Sequence, residues 1–295
     1  MEDLSPASAG LFSFGRPLYC HGVTTLSNSK IDEFLAFAHR LADAAAPITL
    51  AHFRTKLDVA NKFETGFDPV TLADKGAESA ISALIQSTYP EHGVYGEEHG
   101  MRESANGLTW VIDPIDGTRS FISGSPLWGT LIALSDESGP IIGMLDQPFI
   151  GERFFGVLNG ARKESFYRRG GNTTSLKTRA CAELAEATLS TTTPEMFEAP
   201  DKARAFRALQ SRARLQRYGG DCYQYAQVAM GFLDLVVEAG LKPYDIHALI
   251  PIIAGAGGIV TAWTGRTANE GGDIIAAGDA RAHEAALEAM QSSLA

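Results

Sequence analysis

Apolar side chains recur at intervals of three and four residues in two segments near the start of the chain. The first stripe runs from Ile31 to Ala42, and Pro47 breaks it before an apolar run, 48–53, that can continue the helix after a kink. The second stripe lies within residues 74–89 and closes at Pro90. The pattern therefore predicts two amphipathic helices ahead of the first extended β-structure.

After residue 109 the pattern changes to short apolar runs that glycines and Pro148 separate. Runs of this kind predict strands joined as antiparallel hairpins. They cover residues 110–112, 128–134, 140–145 and 153–157, and a turn is predicted at 168–171.

Beyond residue 180, strand and helix patterns alternate, which predicts an α/β second half packed on a first half of helices and antiparallel sheet. Strands are predicted at 187–191, 213–217, 233–238, 258–262 and 274–277, and helices at 200–212, 222–231, 246–256 and 280–294. We therefore divide the chain into a disordered or loosely packed extension, 1–29, a first subdomain, 30–180, and a second subdomain, 181–295, which completes the site.

The segment 110–124 carries the most informative chemistry. Its apolar strand stops at Asp113, because Pro114 cannot continue a hydrogen-bonded ladder and the backbone must turn. Asp113 and Asp116, with the Ile115 carbonyl between them, are hard oxygen ligands suited to Mg²⁺. The turn is therefore a candidate metal site.

The two residues that follow this turn, Gly117 and Thr118, stand where a helix start would present free N–H groups to a phosphate. A metal on one side and an anion hole on the other would form a phosphate-ester site. Taken alone, however, an Asp-Gly pair is explained as simply by an ordinary turn.

Other acidic residues lie beside predicted strand ends and helix starts. Asp74 stands at a helix start, where capping free N–H groups is its simpler role. Glu97 and Glu98 lie in a glycine-bounded segment that could be a solvated loop, and Asp245 precedes an apolar run, 246–253. If these segments converge, their carboxylates share one cleft and require cations, because like charges that close cannot all ionise unaided.

Four motifs resemble, in order and spacing, those of the inositol monophosphatase family. They are Asp68-Pro-Val-Thr-Leu-Ala-Asp74, Gly96-Glu-Glu98, Trp110-Val-Ile-Asp-Pro-Ile-Asp-Gly-Thr118 and Tyr244-Asp245. The resemblance covers roughly residues 30 to 290. It implies a mixed α+β and α/β fold, the layered α-β-α-β-α sandwich of the inositol monophosphatase type. It further implies an Mg²⁺-dependent phosphomonoesterase that forms a homodimer.

Further segments resemble the histidinol-phosphate phosphatase branch of this family, namely 120–134, 146–148, 221–223, 234–245 and 248–258. The chain departs from the inositol phosphatases around Asp245. Those enzymes usually have Trp where Tyr244 stands and small residues where Ile246 and His247 stand. The departure disfavours inositol phosphate, and the branch implies hydrolysis of histidinol phosphate in histidine biosynthesis.

The resemblance also implies a role for each site residue. The implied ligands of two to three Mg²⁺ ions are Glu97, Asp113, the Ile115 carbonyl, Asp116 and Asp245. The implied catalytic residues are Asp74 and Thr118, which orient and deprotonate the attacking water, and Glu97. The implied substrate-binding residues are Gly117, Thr118, Gly219, Gly220, Asp221, Glu238 and Asp245.

Simpler roles stay open for two of the substrate-binding residues. Asp221 could cap the helix that follows it, and Glu238 could face water at a strand end. The roles of Glu98, His99 and His247 stay open as well.

Composition narrows the function classes. A net charge of −10 disfavours nucleic acid as a partner. The partner that the resemblance implies is a small phosphomonoester. No apolar run reaches the ~18 residues that span a membrane. Three cysteines without a disulfide framework favour the cytoplasm.

Two alternatives remain: a phosphatase of inositol phosphate or of a nucleotide 3′-phosphate, and a regulatory member of the superfamily that binds other proteins.

Overall fold

The computed structural model describes residues 25–55, 60–61, 69–70 and 72–294. The helices are α1 Asn28–His52, α2 Leu72–Thr88, α3 Thr118–Ile122, α4 Pro200–Gln210, α5 Asp221–Ala229, α6 Pro243–Ile246, α7 Leu249–Gly255 and α8 Ala280–Ser292. The strands are β1 Ala60–Asn61, β2 Pro69–Val70, β3 Gly93–Gly96, β4 Gly100–Arg102, β5 Thr109–Asp116, β6 Gly129–Asp136, β7 Gly139–Gln147, β8 Glu152–Asn159, β9 Arg162–Arg169, β10 Asn172–Ser175, β11 Thr188–Thr191, β12 Leu215–Tyr218, β13 Leu235–Leu241, β14 Ile259–Ala262 and β15 Gly272–Ala277.

The first helix continues through its proline. Ser27 caps α1 by accepting from the Lys30 N–H (3.2 Å), and Pro47 lies inside the helix, which ends at His52. The prediction that Pro47 breaks the helix was therefore wrong, and the predicted continuation over 48–53 holds. Most of the extension predicted at 1–29, residues 1–24, lies outside the described residues.

Two large sheets form the frame. The first has the order β10-β9-β8-β7-β6-β5-β3-β4 and is antiparallel except where β3 pairs with β5. The second has the order β12-β11-β13-β15-β14, with β11 parallel to both of its neighbours. Strands β9 and β10 were not predicted, because their polar and charged residues leave little apolar alternation.

Three hydrophobic clusters show how these elements stack. One cluster joins α1 and α2 to the first sheet, a second joins the first sheet to α5 and α7 and to the second sheet, and a third joins the second sheet to α4 and α8. In β5, Trp110 and Ile112 face the first cluster and Val111 faces the second, because strand side chains alternate. The predicted five layers, α-β-α-β-α, are confirmed.

A β-bulge stands where the sequence predicts the end of a strand. Asp113 pairs with Leu131, and Asp116 pairs with Gly129, so β5 contains one more residue than β6 in this interval. Pro114 has no N–H to donate, and its carbonyl accepts from the Thr130 hydroxyl (2.8 Å). The strand was predicted to stop at Asp113 but continues to Asp116, because the bulge absorbs the proline.

The helix predicted at 246–256 is two helices, α6 and α7, which meet at His247 and Ala248. Helix α7 lies directly on the first sheet at two glycines. A Cβ at Gly143 would lie 2.0 Å from the Ala248 carbonyl oxygen, and one at Gly156 would lie 2.2 Å from that of Pro251. Only glycine permits this approach, which brings the chain that precedes α7 close to the bulge in β5.

Candidate active site

The bulge in β5 carries the two aspartates of the predicted metal site. Asp113 is buried, and its Oδ1 accepts from the Ile115 N–H (3.0 Å), which closes the turn around Pro114. Asp116 Oδ2 accepts from the Cys222 N–H (3.0 Å) at the start of α5. The bulge therefore holds both carboxylates in place, and a hydrogen bond ties one of them to α5.

Asp245 reaches the same place from α6. Its Oδ2 accepts from the Lys242 N–H (2.7 Å), so the carboxylate caps its own helix. Burial raises the pKa of Asp245 to about 7, and the Lys242 N–H opposes the rise while Glu97 adds to it. Asp245 therefore precedes an apolar run for two reasons: its carboxylate caps α6, and it lies near other carboxylates.

The pKa values of the predicted ligands respond to one another's charges. Burial raises the pKa of Asp113 well above its ordinary value, and Glu97, Asp116, Asp245 and Asp74 raise it further, in that order. For Asp116, burial again raises the pKa most, ahead of repulsion by Asp221 and Asp245. Carboxylates from five separate segments therefore influence the pKa of Asp113 or of Asp116.

These carboxylates do not form a closed cluster. Within the described ranges, no group of three or more His, Cys, Asp or Glu side chains has the spacing of a completed metal site. The donors are nevertheless all carboxylate and carbonyl oxygens, the ligands that hard divalent cations prefer. The donor set fits Mg²⁺ in its chemistry, and a cation would offset the repulsion that raises these pKa values.

Glu78 is a site residue that the sequence analysis missed. It is fully buried in α2, one turn after Asp74, and its two oxygens accept from the Glu98 N–H (2.8 Å) and the His99 N–H (2.9 Å). His99 Nδ1 also lies 3.0 Å from Glu78 Oε1. Glu78 thus fixes the loop that carries Glu97 to the helix that carries Asp74. The available signal was its i, i+4 spacing from Asp74, which places both acids on the apolar face.

The residues after the bulge form the predicted helix start. Gly117 has a φ of 85° and caps α3, a backbone conformation that favours glycine. A Cβ at Gly117 would also lie 3.0 Å from both Asp221 Cβ and the Leu127 carbonyl oxygen. The Thr118 hydroxyl donates to the Ile115 carbonyl (3.2 Å). Its oxygen can therefore accept a hydrogen bond from a water.

Asp221 lies beside this turn at the start of α5. Its backbone has a φ of 42°, and its Oδ2 accepts from the Ser120 hydroxyl (2.6 Å). Burial raises the pKa of Asp221, while Ser120 and Arg119 lower it. Among the described residues its side chain accepts from no N–H of α5, so the carboxylate bridges to α3 and does not cap its own helix.

Gly219 and Gly220 connect β12 to α5. Gly219 has a φ of 76°, and its N–H donates to the Thr192 carbonyl (2.8 Å). A Cβ at Gly220 would lie 2.7 Å from Gln224 Cβ. Their predicted contact with substrate stays a prediction, and the structure places them immediately before Asp221.

Glu238 is buried in β13 among protein donors. Its Oε1 accepts from the Thr192 N–H (3.0 Å) and from Gln224 Nε2 (2.7 Å), and its Oε2 accepts from the Tyr225 hydroxyl (2.8 Å). Burial raises the pKa of Glu238, while Thr192 and Tyr225 lower it. The simpler alternative expected Glu238 to face water, but the side chain is buried. Its predicted contact with substrate stays a prediction.

The two histidines near the acidic motifs have partners of their own. His99 contacts Glu78, as described above. His247 Nδ1 lies 2.9 Å from the Ser135 hydroxyl, and its Nε2 lies 2.6 Å from the Asn269 carbonyl oxygen. Both ring nitrogens of His247 are therefore engaged away from the carboxylates.

Comparison with known proteins agrees with this geometry. The sequence pattern of the inositol monophosphatase family matches residues 30–295. The chain is 42% identical to the chloroplastic bifunctional phosphatase IMPL2 of Arabidopsis thaliana, over 90% of this chain and 77% of that protein. It is 36% identical to a histidinol-phosphatase of Chlorobaculum parvum, over 79% of this chain and 86% of that one.

A solved structure gives the same result for the fold. An inositol monophosphatase from Zymomonas mobilis superimposes with a TM-score of 0.77 at 40% identity, covering 90% of this chain and all of that one.

No helix in the part of the chain that the structure describes has the length and apolar character needed to cross a bilayer.

Proposed function

This chain belongs to the inositol monophosphatase family, and we propose that it is the phosphatase that converts histidinol phosphate to histidinol and phosphate in histidine biosynthesis. Phosphatase activity follows from the family. The observation that supports histidinol phosphate as the substrate is the position of the Asp221 carboxylate beside the turn at Gly117. Histidinol phosphate has an ammonium group that an acid can bind, whereas inositol phosphate offers hydroxyl groups.

Members of this family depend on a metal, typically Mg²⁺. We propose that two to three Mg²⁺ ions bind here, and that their ligands are Glu97, Asp113, the Ile115 carbonyl, Asp116 and Asp245. Bound Mg²⁺ would offset the charge of the phosphate and lower the pKa of water. The raised pKa values of Asp113, Asp116 and Asp245 support this proposal, because burial and then repulsion by neighbouring carboxylates disfavour their charged forms, and a cation would offset both effects.

The chain's own groups would act on the phosphate and on the attacking water. The N–H groups of Gly117 and Thr118, at the start of α3, would donate to phosphate oxygens. The Thr118 hydroxyl donates to the Ile115 carbonyl, so its oxygen would accept from the water and orient it. Asp74, buried on α2, would take the proton of that water as general base.

The leaving group would lie between α3 and the start of α5. There Asp221 would accept from the ammonium of histidinol phosphate, and a charge-assisted hydrogen bond of this kind contributes about 1.5–3 kcal/mol. We therefore expect Asp221→Asn to lower kcat/KM for histidinol phosphate by about 10–100-fold. Gly219 and Gly220 would border the same group, and Glu238 is the further residue that we propose for contact.

Phosphate release from a panel of esters tests this function. The panel is histidinol phosphate, inositol 1-phosphate and adenosine 3′-phosphate, each with Mg²⁺ and each with EDTA. We expect Mg²⁺-dependent turnover with the highest kcat/KM on histidinol phosphate. Turnover that survives EDTA would contradict the metal assignment, and a higher kcat/KM on either of the other esters would contradict the substrate.

Inositol phosphate is the second candidate substrate, because the Zymomonas mobilis structure at 40% identity is that of an inositol monophosphatase. The two candidates differ at Asp221. We expect Asp221→Asn to leave hydrolysis of an ester of a neutral alcohol, such as inositol phosphate, nearly unchanged. Equal losses on this ester and on histidinol phosphate would mean that Asp221 supports the fold or the metal site, and the argument for histidinol phosphate would fail.

We also propose that the protein is a cytoplasmic homodimer. Family resemblance supports the dimer, and the absence of a cysteine framework in the sequence supports the compartment. Light scattering on the purified protein would give its mass. A value near 31.5 kDa, the mass of one chain, would contradict the dimer.

A further inference from the structure

Helices α3 and α5 come from different subdomains and meet at one short hydrogen bond. The Ser120 hydroxyl donates to Asp221 Oδ2 at 2.6 Å, between residues 101 positions apart in the chain. Ser120 follows Thr118 by two residues on α3. The residue proposed to select the substrate is thus bonded to the helix that carries a residue proposed for catalysis.

The backbone of Asp221 places its side chain against the turn at Gly117. Its φ of 42° lies in the left-handed region, where residues other than glycine are uncommon, although Asp tolerates it better than most. The conformation brings Asp221 Cβ to 3.0 Å from the position that a Cβ on Gly117 would occupy. Asp221 therefore packs against the catalytic turn, where a small rotation of its side chain would move the carboxylate relative to a bound phosphate ester.

The two oxygens of this carboxylate are not equivalent. Oδ2 accepts from Ser120, while Oδ1 accepts no hydrogen bond from any residue in the described part of the chain. Arg119 attracts the carboxylate electrostatically, but its side chain is exposed and donates no hydrogen bond to Asp221 among the described residues. Ser120 is therefore the group that sets the orientation of the carboxylate, and Oδ1 is left for a ligand.

We infer that Ser120 is a positioning residue that determines specificity, since it holds Asp221 so that Oδ1 faces the ammonium of the leaving group. The inference rests on the proposed function. In the proposed mechanism Ser120 contacts neither the phosphate nor the water, and it acts only through Asp221. Its loss should therefore weaken binding of the amine more than it slows the chemical step.

The test compares Ser120→Ala with Ser123→Ala. Ser123 ends the same helix, and its hydroxyl donates only to the Ser120 carbonyl among the described residues (3.1 Å), so it is a matched control. The substrates are histidinol phosphate and its deamino analogue, 3-(imidazol-4-yl)propyl phosphate. We expect Ser120→Ala to lower kcat/KM for histidinol phosphate about tenfold, chiefly through KM. On the analogue, and for Ser123→Ala on both esters, we expect changes below about threefold.

Two further variants separate positioning from a structural role. Ser120→Thr keeps the hydroxyl and should restore most of the preference for the amine-bearing ester. In the Asp221→Asn background, Ser120→Ala should change the ratio of the two kcat/KM values by less than about twofold, because the residue through which it acts is already altered.

The outcomes that overturn the inference are distinct. Equal losses on both esters, or losses that Ser123→Ala shares, would make Ser120 a structural residue, while the proposed function would stand. A wild-type enzyme that does not prefer histidinol phosphate over the deamino analogue would overturn the proposed function and this inference together.

Discussion

Two groups of buried carboxylates lie close together in this molecule and differ in what surrounds them. In the cleft at the end of β5, the carboxylates of Asp113, Asp116 and Asp245 have other carboxylates as their main charged neighbours. Glu78 on α2 and Glu238 on β13 are equally buried but accept from three donors each. In the first group the carboxylates repel one another. In the second group, hydrogen-bond donors of the protein stabilise the carboxylates.

The difference teaches which buried acids have enough protein donors to offset their charge and which do not. Burying a carboxylate is costly unless donors or cations compensate it. N–H and O–H groups compensate Glu78 and Glu238, and each of these residues joins two segments next to the cleft. Asp113, Asp116 and Asp245 each accept one backbone N–H, so the cation that we propose at this site would supply the compensation that the protein does not. The contrast thus separates the proposed metal ligands from the acids that join neighbouring segments.

The largest expected effect comes from Asp113→Asn. We expect turnover to fall by about 10³-fold or more, because Asp113 lies at the centre of the cleft carboxylates. We also expect the free energy of unfolding of the metal-free protein to rise, because one source of repulsion is removed. Phosphate release at saturating Mg²⁺ and urea unfolding in EDTA measure the two effects.

The control for this variant is Asp201→Asn, which alters an exposed carboxylate paired with Arg204. It should change neither quantity. Near-wild-type turnover of Asp113→Asn at saturating Mg²⁺ would show that the cleft carboxylates do not bind the catalytic metal.

Thr118→Ala tests the group proposed to orient the attacking water. General acid–base and positioning groups contribute about 10²–10⁴-fold, so kcat should fall within this range. The Mg²⁺ concentration for half-maximal activity should change little, because the hydroxyl donates to the Ile115 carbonyl and is not itself a proposed ligand. Thr173→Ala, on the exposed strand β10, is the control. A rise in KM with unchanged kcat would make Thr118 a substrate-positioning residue only.

Glu78→Gln tests whether a donor-satisfied acid supports the cleft. The substitution keeps the size of the side chain but turns an N–H group toward backbone donors of the loop at Glu98 and His99. Residues that orient metal ligands typically contribute about 10–100-fold to metal affinity or activity. We therefore expect the Mg²⁺ requirement to rise by about tenfold, as measured by activity and by Mg²⁺-dependent thermal shift. Glu137→Gln, at an exposed turn, is the control, and equal Mg²⁺ requirements would remove Glu78 from the site.

The same contrast explains which residues of the site could be predicted from the sequence. The residues of the cleft were predictable, because Asp-Pro-Ile-Asp-Gly-Thr and its companion motifs carry their chemistry in short, ordered segments. Glu78 was missed: its spacing from Asp74 could have indicated a buried position, but its partners, the N–H groups of Glu98 and His99, are known only from the tertiary structure. The donors of Glu238 come from Thr192, directly after β11, and from α5, which are distant in sequence, so their convergence also depends on tertiary structure.

The errors in secondary structure have physical causes of their own. Pro47 lies inside α1, because burial of the residues that follow it outweighs the loss of one hydrogen bond. Pro114 lies inside β5, because a bulge removes the need for its missing N–H. Both errors came from treating proline as an absolute terminator, when the packing around each proline decides whether the element continues.

The smallest expected effect comes from Tyr225→Phe, which removes one donor from Glu238. Tyr225 is buried, and its hydroxyl donates to Glu238 Oε2 at 2.8 Å, so Phe leaves a buried carboxylate oxygen without that bond. A loss of this kind costs about 1–3 kcal/mol, and urea unfolding of the metal-free protein should show it. Tyr218→Phe, which alters an exposed tyrosine that accepts from Gln210, should cost less than about 0.5 kcal/mol. Because Glu238 is satisfied by the protein and Asp113 is not, Tyr225→Phe should lower stability where Asp113→Asn raises it. Should Tyr225→Phe leave stability unchanged and abolish turnover instead, Glu238 would belong with the carboxylates of the cleft, and the division between the two groups would fail.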